Sequence, residues 1–157
     1  MNVGIILFSK TGNTEYFGLK LKERLESINK RVTLKKIELT KDSKLESGMF
    51  EFEKRPKIKS FDIVIFGSPV HGFSLSIVMV KYIEELCLSG KKVICFVTQH
   101  FPYAWMGGNR AIKQMKNLCN EKGATIIESG IINWSRKNRE ENIEKTVNLF
   151  LDAIEKK

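Results

Sequence analysis

The chain has 157 residues, of which 42% are apolar, and 27 lysines and arginines against 18 acidic residues give it a net charge of +9. This length suits one domain with its own core, so we expect a single domain spanning 1–157. No apolar run approaches the roughly 18 residues of a membrane helix, and the amino-terminal stretch lacks the features of a secretory signal, which excludes a membrane-spanning protein and predicts a cytoplasmic one.

Five apolar runs predict five strands. The predicted strands are 3–8, 31–39, 61–67, 91–98 and 124–134. Most of these runs are apolar throughout, which is typical of strands buried on both faces. The segment 31–39 alternates apolar and polar residues, which indicates a strand near the edge of a sheet.

Apolar residues at helical spacing predict four amphipathic helices. The first begins at Thr14, and Gly123 ends the third. Their apolar positions are Phe17, Leu21, Leu25 and Ile28; Leu75, Met79, Tyr82, Ile83 and Leu86; Ala111, Ile112, Met115, Leu118 and Cys119; and Ile143, Val147, Phe150, Leu151 and Ile154. The segment 40–60 is charged and weakly patterned, and we expect a long connection with one short helix there.

Alternating strands and helices require crossover connections, which produce a parallel sheet covered on both faces. The predicted fold is therefore α/β, with a doubly wound five-stranded parallel sheet and helices on both faces. Ligands of such sheets bind beyond the carboxyl ends of the strands, where the strand order reverses.

The three cysteines and the positive charge give weaker indications. Cys87, Cys95 and Cys119 have no CxxC spacing, so we expect reduced thiols and neither a disulfide framework nor a zinc site. The charge excess is compatible with nucleic acid, an acidic partner protein or solubility alone. No basic stripe is interleaved with aromatic residues, so nucleic acid is not the favoured partner.

The first loop, "SKTGNT", lies between the first predicted strand and the first helix. A helix amino terminus offers unpaired N–H groups and a partial positive charge, and glycine lets the backbone curl around an anion. The loop therefore predicts a cradle for a single phosphate group. It matches neither GxxxxGK[ST] nor GxGxxG, so neither a nucleoside triphosphate nor a pyrophosphate is expected. The alternative is an ordinary helix cap, which would explain one hydroxyl rather than three. The residues of this loop are Ser9, Lys10, Thr11, Gly12, Asn13 and Thr14.

The loop after the first strand resembles the phosphate loop of flavodoxins, which carry flavin mononucleotide (FMN). The family pattern of hydroxyl-x-hydroxyl-Gly-x-Thr is matched at Ser9, Thr11, Gly12 and Thr14. The resemblance covers the entire chain and implies a flavodoxin-like fold with strand order 2-1-3-4-5, with FMN as the cofactor and electron transport as the function.

The resemblance also implies that two later loops flank the flavin ring. The second loop contributes Ser68, Pro69, Val70, His71, Gly72 and Phe73, and the third contributes Thr98, Gln99, His100, Phe101, Tyr103, Trp105, Gly107 and Gly108. The expected ring faces are Val70, His71 and Phe73 on one side and Phe101, Tyr103 and Trp105 on the other.

Within these loops the resemblance implies particular roles. Thr98 and Gln99 are expected at the pyrimidine edge of the flavin, and Gly72 is expected to turn its peptide towards N5 on reduction. The aromatic residues depart from the usual family pattern, so either Trp105 or Phe101 is the expected stacking residue.

Neither histidine has a metal-binding partner nearby in the sequence, and no GxSxG elbow supports a hydrolase, so we expect neither a metal nor a catalytic residue. If His71 lies beside the flavin, its titration predicts a midpoint potential that changes between about pH 5 and 8. Asparagine at this position would flatten that dependence.

Three functions remain open on the sequence alone. The first is an electron carrier for redox partner proteins, in which the flavin supplies the chemistry. The alternatives are an FMN-dependent NAD(P)H or quinone oxidoreductase of the same fold, and a binding or regulatory module. The net charge predicts redox partner proteins with acidic docking faces. We expect the protein to bind neither nucleic acid nor a membrane.

Overall fold

The apolar runs of the sequence form a central parallel sheet. The computed structural model describes residues 1–156 and contains eight strands within them. These strands are β1 (Asn2–Leu7), β2 (Arg31–Lys36), β3 (Glu38–Leu39), β4 (Phe52–Lys54), β5 (Ile63–His71), β6 (Ser74–Leu75), β7 (Lys92–Gln99) and β8 (Thr125–Asn133). Five of them pair in parallel in the order β2-β1-β5-β7-β8, which confirms the predicted order 2-1-3-4-5.

Four helices cover both faces of this sheet, as predicted. They are α1 (Asn13–Ser27), α2 (Ile77–Glu84), α3 (Gly108–Glu121) and α4 (Arg139–Glu155). Successive side chains of a strand point to opposite faces, so each strand feeds two separate cores. In β1, Ile5 packs with α1 and α4, whereas Ile6 packs with α2 and α3.

The predicted strand 31–39 is interrupted in the structure. β1 ends at Leu7, which pairs with Lys36, so the ladder of β2 has no partner beyond this residue. The N–H of Ile37 donates to the carbonyl of Leu7 at 2.8 Å, and β3 then leaves the main sheet. The prediction of one continuous strand was therefore wrong at its carboxyl end.

The weakly patterned segment 40–60 supplies the partner for β3. β4 pairs with β3 in an antiparallel two-stranded sheet, which the sequence analysis did not predict. The short helix predicted for this segment is present as a 3-10 helix at Leu45–Ser47.

The third parallel strand is longer than predicted. β5 continues to His71, so Ser68 and Pro69 lie in a strand rather than in the predicted loop. Within this strand, Ser68 pairs with Val97 and Pro69 pairs with Thr98 of β7. The chain then reverses into β6, and α2 begins only at Ile77, so Leu75 is not helical. None of the helices described within residues 1–156 is both long enough and apolar enough to cross a membrane.

Candidate functional site

Three loops meet at the carboxyl edge of the parallel sheet, and together they form the candidate site. The first loop (9–14) reaches the end of β7 through Thr14, whose hydroxyl lies 2.7 Å from that of Thr98. The second loop reaches the third where Phe73 stacks on Phe101. The topology therefore brings together the three segments that the sequence analysis selected.

The first loop places an uncapped helix amino terminus at this edge. Gly12 precedes α1 with φ of +96°, and this N-cap residue has no side chain to cap the helix. A Cβ at Gly12 would meet no atom within 4 Å, so glycine is required by its backbone angle and the space around the turn is open. Among residues 1–156, the N–H groups of Asn13 and Thr14 have no acceptor. This arrangement fits an anion.

The hydroxyl of Ser9 contacts the first turn of this helix. Its oxygen accepts the N–H of Glu15 at 3.3 Å, which leaves the hydrogen of Ser9 available to donate to a ligand. Thr11 is exposed beside it. Lys10 forms an ion pair with Glu46 at 3.6 Å, and both side chains are largely exposed, so this pair contributes little to stability.

The second loop is a tight hairpin between β5 and β6. Val70 pairs with Leu75, and His71 pairs with Ser74. Gly72 and Phe73, between them, have φ of +57° and +62°, as a type I′ turn requires. A bulky residue in this conformation costs about 1–3 kcal/mol, so the loop holds Phe73 under strain.

One hydrogen bond and one close approach position the strained hairpin. The N–H of Leu75 donates to Oε1 of Gln114 on α3 at 2.8 Å. A Cβ at Gly107 would lie 2.9 Å from Cα of Phe73, so this glycine allows the third loop to approach the hairpin. Gly108 follows as the first residue of α3 and packs tightly against Gln99.

The two polar residues at the end of β7 are turned towards the protein. Thr98 is 4% exposed and contacts Thr14. Gln99 is 3% exposed, and its Nε2 donates to the carbonyl of Tyr103 at 2.7 Å and to Oδ1 of Asn133 at 2.5 Å. Gln99 therefore anchors the third loop to β8, and the expected contact of both residues with a pyrimidine edge stays a prediction.

The aromatic residues of the site form two stacked pairs. Phe73 and Phe101 are nearly parallel, with 7° between their planes and 5.4 Å between their centroids. Tyr103 and Trp105 stack with centroids 6.2 Å apart, and Trp105 is 73% exposed. A flat ring inserted between two parallel rings needs them about 7 Å apart, which is twice a contact distance of about 3.5 Å. The centroids of Phe73 and Phe101 are closer than that, so no ring fits between them. The exposed faces of both pairs remain available to a flat ligand.

The two histidines differ in their surroundings. The ring of His71 packs edge-on against Phe8, with 6.4 Å between centroids, and is half-buried. Burial, and then the positive charge of Lys10, lower the pKa of His71 below its usual value of about 6.5. His100 is exposed and packs against Phe101.

Some residues of this edge escaped the sequence analysis. Phe8 lies at the end of the first apolar run, and Gln114 lies within α3. Nothing in the sequence pattern distinguishes either residue from its neighbours. A cavity of about 520 Å³ opens between residues 8–10 and 36–46, beside the first loop. Part of its wall belongs to the weakly patterned segment 40–60, so the sequence pattern did not predict the cavity.

Two residues after β8 lie near the same edge. Trp134 packs against Tyr16, and the Arg136 guanidinium lies 5.9 Å from the ring of Tyr103.

The arrangement has close counterparts among solved structures. Flavodoxin 2 from Bacillus cereus is 24% identical, with a TM-score of 0.73 and full coverage of both chains. Flavodoxin 1 from the same organism is 16% identical, with a TM-score of 0.73 and coverage of 99% of this chain and 98% of the other. The fold is the flavodoxin fold.

A third counterpart is a flavoprotein in complex with FMN from Lactobacillus acidophilus. It is 12% identical, has a TM-score of 0.65 and covers 92% of this chain and 97% of its own. The sequence itself matches no protein-family model and no curated protein. At these identities the likeness establishes the fold, which the resemblance in the first loop had predicted.

The environment of His71 makes a testable prediction about protonation. Its depressed pKa means that the unfolded chain binds the proton more readily than the folded chain. The free energy of unfolding should therefore fall as the pH decreases from about 6.5 through the lower folded pKa. An NMR titration should place the pKa of His71 below 6.5, and Lys10→Gln should raise it part of the way back.

The matched control for Lys10→Gln is Lys41→Gln, which removes an exposed lysine elsewhere. It should leave the titration of His71 unchanged. A wild-type pKa at or above 6.5 would contradict the prediction, as would equal effects of the two lysine variants.

Proposed function

We propose that this protein binds FMN at the candidate site and serves as a single-domain electron carrier. The observation that carries the proposal is the uncapped amino terminus of α1, where the Gly12 turn leaves the N–H groups of Asn13 and Thr14 free at the carboxyl edge of the sheet. The flavodoxin fold and a counterpart solved with FMN support the same ligand.

The chain's own residues would hold the phosphate group of FMN at this turn. The free N–H groups donate along the axis of α1, where the helix dipole also favours a negative charge. The hydroxyls of Ser9 and Thr11 lie on the same loop, and that of Ser9 already accepts from the helix and so has its hydrogen to give. The short, hydroxyl-rich loop suits one phosphomonoester rather than a longer phosphate chain.

The second and third loops would contact the ring system. Bound FMN supplies the redox chemistry, and the chain contributes apolar contact, orientation and exclusion of water. Phe73, Phe101, Tyr103 and Trp105 each expose at least 40% of their surface and lie in two stacked pairs, and a cluster of exposed apolar side chains is typical of a binding site. The strained hairpin at Gly72 and Phe73 keeps one of these rings at the site.

Charge at this edge bears on the partners of the protein. The acidic side chains near the first loop are paired: Glu46 with Lys10, and Glu15 with Lys36 at 3.3 Å. Arg136 and the exposed Arg110, on the far side of the site, have no acidic partner among the described residues. The rim is therefore basic, as the whole chain is, and it suits partner proteins with acidic docking faces.

The proposal predicts the binding behaviour of the protein. The purified chain should bind one FMN per molecule and bind riboflavin more weakly, as measured by flavin fluorescence quenching. Gly12→Ala should weaken FMN binding roughly tenfold, because forcing a side chain into the left-handed region costs about 1–2 kcal/mol and reshapes the turn. Riboflavin affinity should change less.

Gly90→Ala is the matched control. Gly90 also has a positive φ, of +77°, and also has no atom within 4 Å of an added Cβ, but it lies in the turn before β7. It should destabilise the chain similarly and leave FMN affinity unchanged. Absence of FMN binding by the wild-type protein would overturn the proposal.

The carrier role and the basic rim predict charge-dependent electron transfer. The photochemically reduced FMN complex should react faster with an anionic oxidant such as ferricyanide than with a cationic cobalt complex of similar driving force. Rising ionic strength should slow the first reaction and accelerate the second, because it screens charges beyond about 8–10 Å. Stopped-flow absorbance measures both rates.

Two results would contradict this part of the proposal. Equal salt dependence for the two oxidants would remove the argument for acidic partners. Rapid bleaching of the bound flavin by NADH or NADPH alone would favour the FMN-dependent oxidoreductase over the carrier.

A further inference from the structure

The contact between Thr14 and Thr98 contains a hydrogen that has no acceptor. The two hydroxyl oxygens are 2.7 Å apart, and the residues are 1% and 4% exposed. Two hydroxyls carry two hydrogens, and their mutual hydrogen bond uses one of them. Within residues 1–156, neither hydroxyl makes another hydrogen bond. A buried donor without an acceptor is unfavourable, which favours binding of an acceptor from outside the chain.

Either hydroxyl can be the donor in this contact, and the direction of donation determines which residue keeps the spare hydrogen. Thr14 is in the first turn of α1, beside its own free N–H and that of Asn13. Thr98 lies in β7 and pairs with Pro69 and Ile132 on the neighbouring strands. If Thr98 donates to Thr14, the remaining hydrogen belongs to the residue on the helix terminus. It then joins the N–H groups that already have no acceptor.

We propose that Thr98 is a positioning residue for phosphate recognition. Its hydroxyl donates to the oxygen of Thr14 and thereby directs the hydrogen of Thr14 to the phosphate. A phosphate dianion offers only acceptor oxygens, so it requires this direction of donation and disfavours the reverse. This inference rests on the proposed FMN site, and it makes Thr98 a determinant of the preference for phosphorylated over unphosphorylated flavin.

Ser9 provides an independent parallel on the other side of the same turn. Its oxygen accepts the N–H of Glu15, which leaves its hydrogen for a ligand. In the same way, the hydroxyl of Thr98 donates to the oxygen of Thr14 and leaves the hydrogen of Thr14 for the ligand. With Thr98 as the donor, Ser9 and Thr14 both accept from the protein, so both are set to donate to the same anion.

The role differs from the one that the family resemblance implied for Thr98. A contact with the pyrimidine edge would make Thr98 act on the ring system, and its loss would weaken FMN and riboflavin alike. A positioning role acts through Thr14 on the phosphate, and its loss would weaken FMN alone. The ratio of the two affinities separates these roles.

The first experiment measures FMN and riboflavin affinities for three variants. Thr98→Val keeps the shape but removes the hydroxyl, and it should weaken FMN binding about tenfold while riboflavin affinity stays within about twofold. Thr98→Ser restores the hydroxyl and should keep the wild-type ratio. Thr33→Val, which changes an exposed threonine in β2, is the control and should change neither affinity.

The second experiment tests whether Thr98 acts through Thr14. Thr14→Val should itself weaken FMN binding, and the double variant Thr14→Val/Thr98→Val should bind FMN as weakly as Thr14→Val alone. Additive losses would mean that Thr98 reaches the ligand by itself. Additivity, an unchanged FMN to riboflavin ratio in Thr98→Val, or an equal loss of both ligands would each overturn the inference.

A measurement on the wild-type complex does not depend on the folding of any variant. NMR of the FMN complex should detect scalar coupling between the phosphorus and the hydroxyl proton of Thr14. Coupling to the Thr98 proton, or none to either, would overturn the inference. Failure of the wild-type protein to bind FMN would instead overturn the proposed function, so the two failures are distinguishable.

Discussion

The candidate site depends on one constraint: α1 begins beyond the carboxyl end of a buried strand, with an N-cap residue that has no side chain. The first N–H groups of a helix need acceptors, and proteins usually supply a side chain from the residue before the helix. Here that residue is Gly12, in a left-handed conformation with open space around it. The terminus therefore retains unpaired donors and a partial positive charge at the sheet edge, where an anionic ligand can satisfy both.

The doubly wound topology surrounds this terminus with two further loops. β5 and β7 are adjacent to each other in the sheet, and β5 pairs with β1, so the segments that follow them must emerge beside the first loop. Direct contacts then join the loops: Thr14 with Thr98, and Phe73 with Phe101. A helix end with spare donors thus lies beside an exposed aromatic surface, which suits a ligand with an anionic tail and a flat apolar head.

Most of the architecture could be predicted from the sequence because apolar runs and helical stripes are strong signals. All five parallel strands and the four helices of the layers were predicted from these patterns, and the strand order was implied by the family resemblance. The errors fell where tertiary pairing overrides local pattern. β2 stops at Lys36 because β1 ends opposite this residue. β3 and β4 are strands because they pair with each other. Neither cause is visible in a single local stretch.

The site was predictable at the level of loops and less so at the level of side chains. The residue types of the first loop indicated an anion cradle, but the burial of Thr98 against Thr14 depends on packing across 84 positions of sequence. The aromatic residues of the other loops were predicted as ring faces, whereas their stacking on one another follows from the hairpin that holds Phe73. Sequence spacing carries no information on such side-chain directions.

The central claim is that the amino terminus of α1 binds the phosphate of FMN, and amide NMR tests it most directly. In a titration of the labelled protein with FMN, the account predicts that the N–H signals of Asn13 and Thr14 move the most. Riboflavin should move the signals of residues 100–106 and leave those two in place. Unmoved Asn13 and Thr14 signals at saturating FMN would contradict the account.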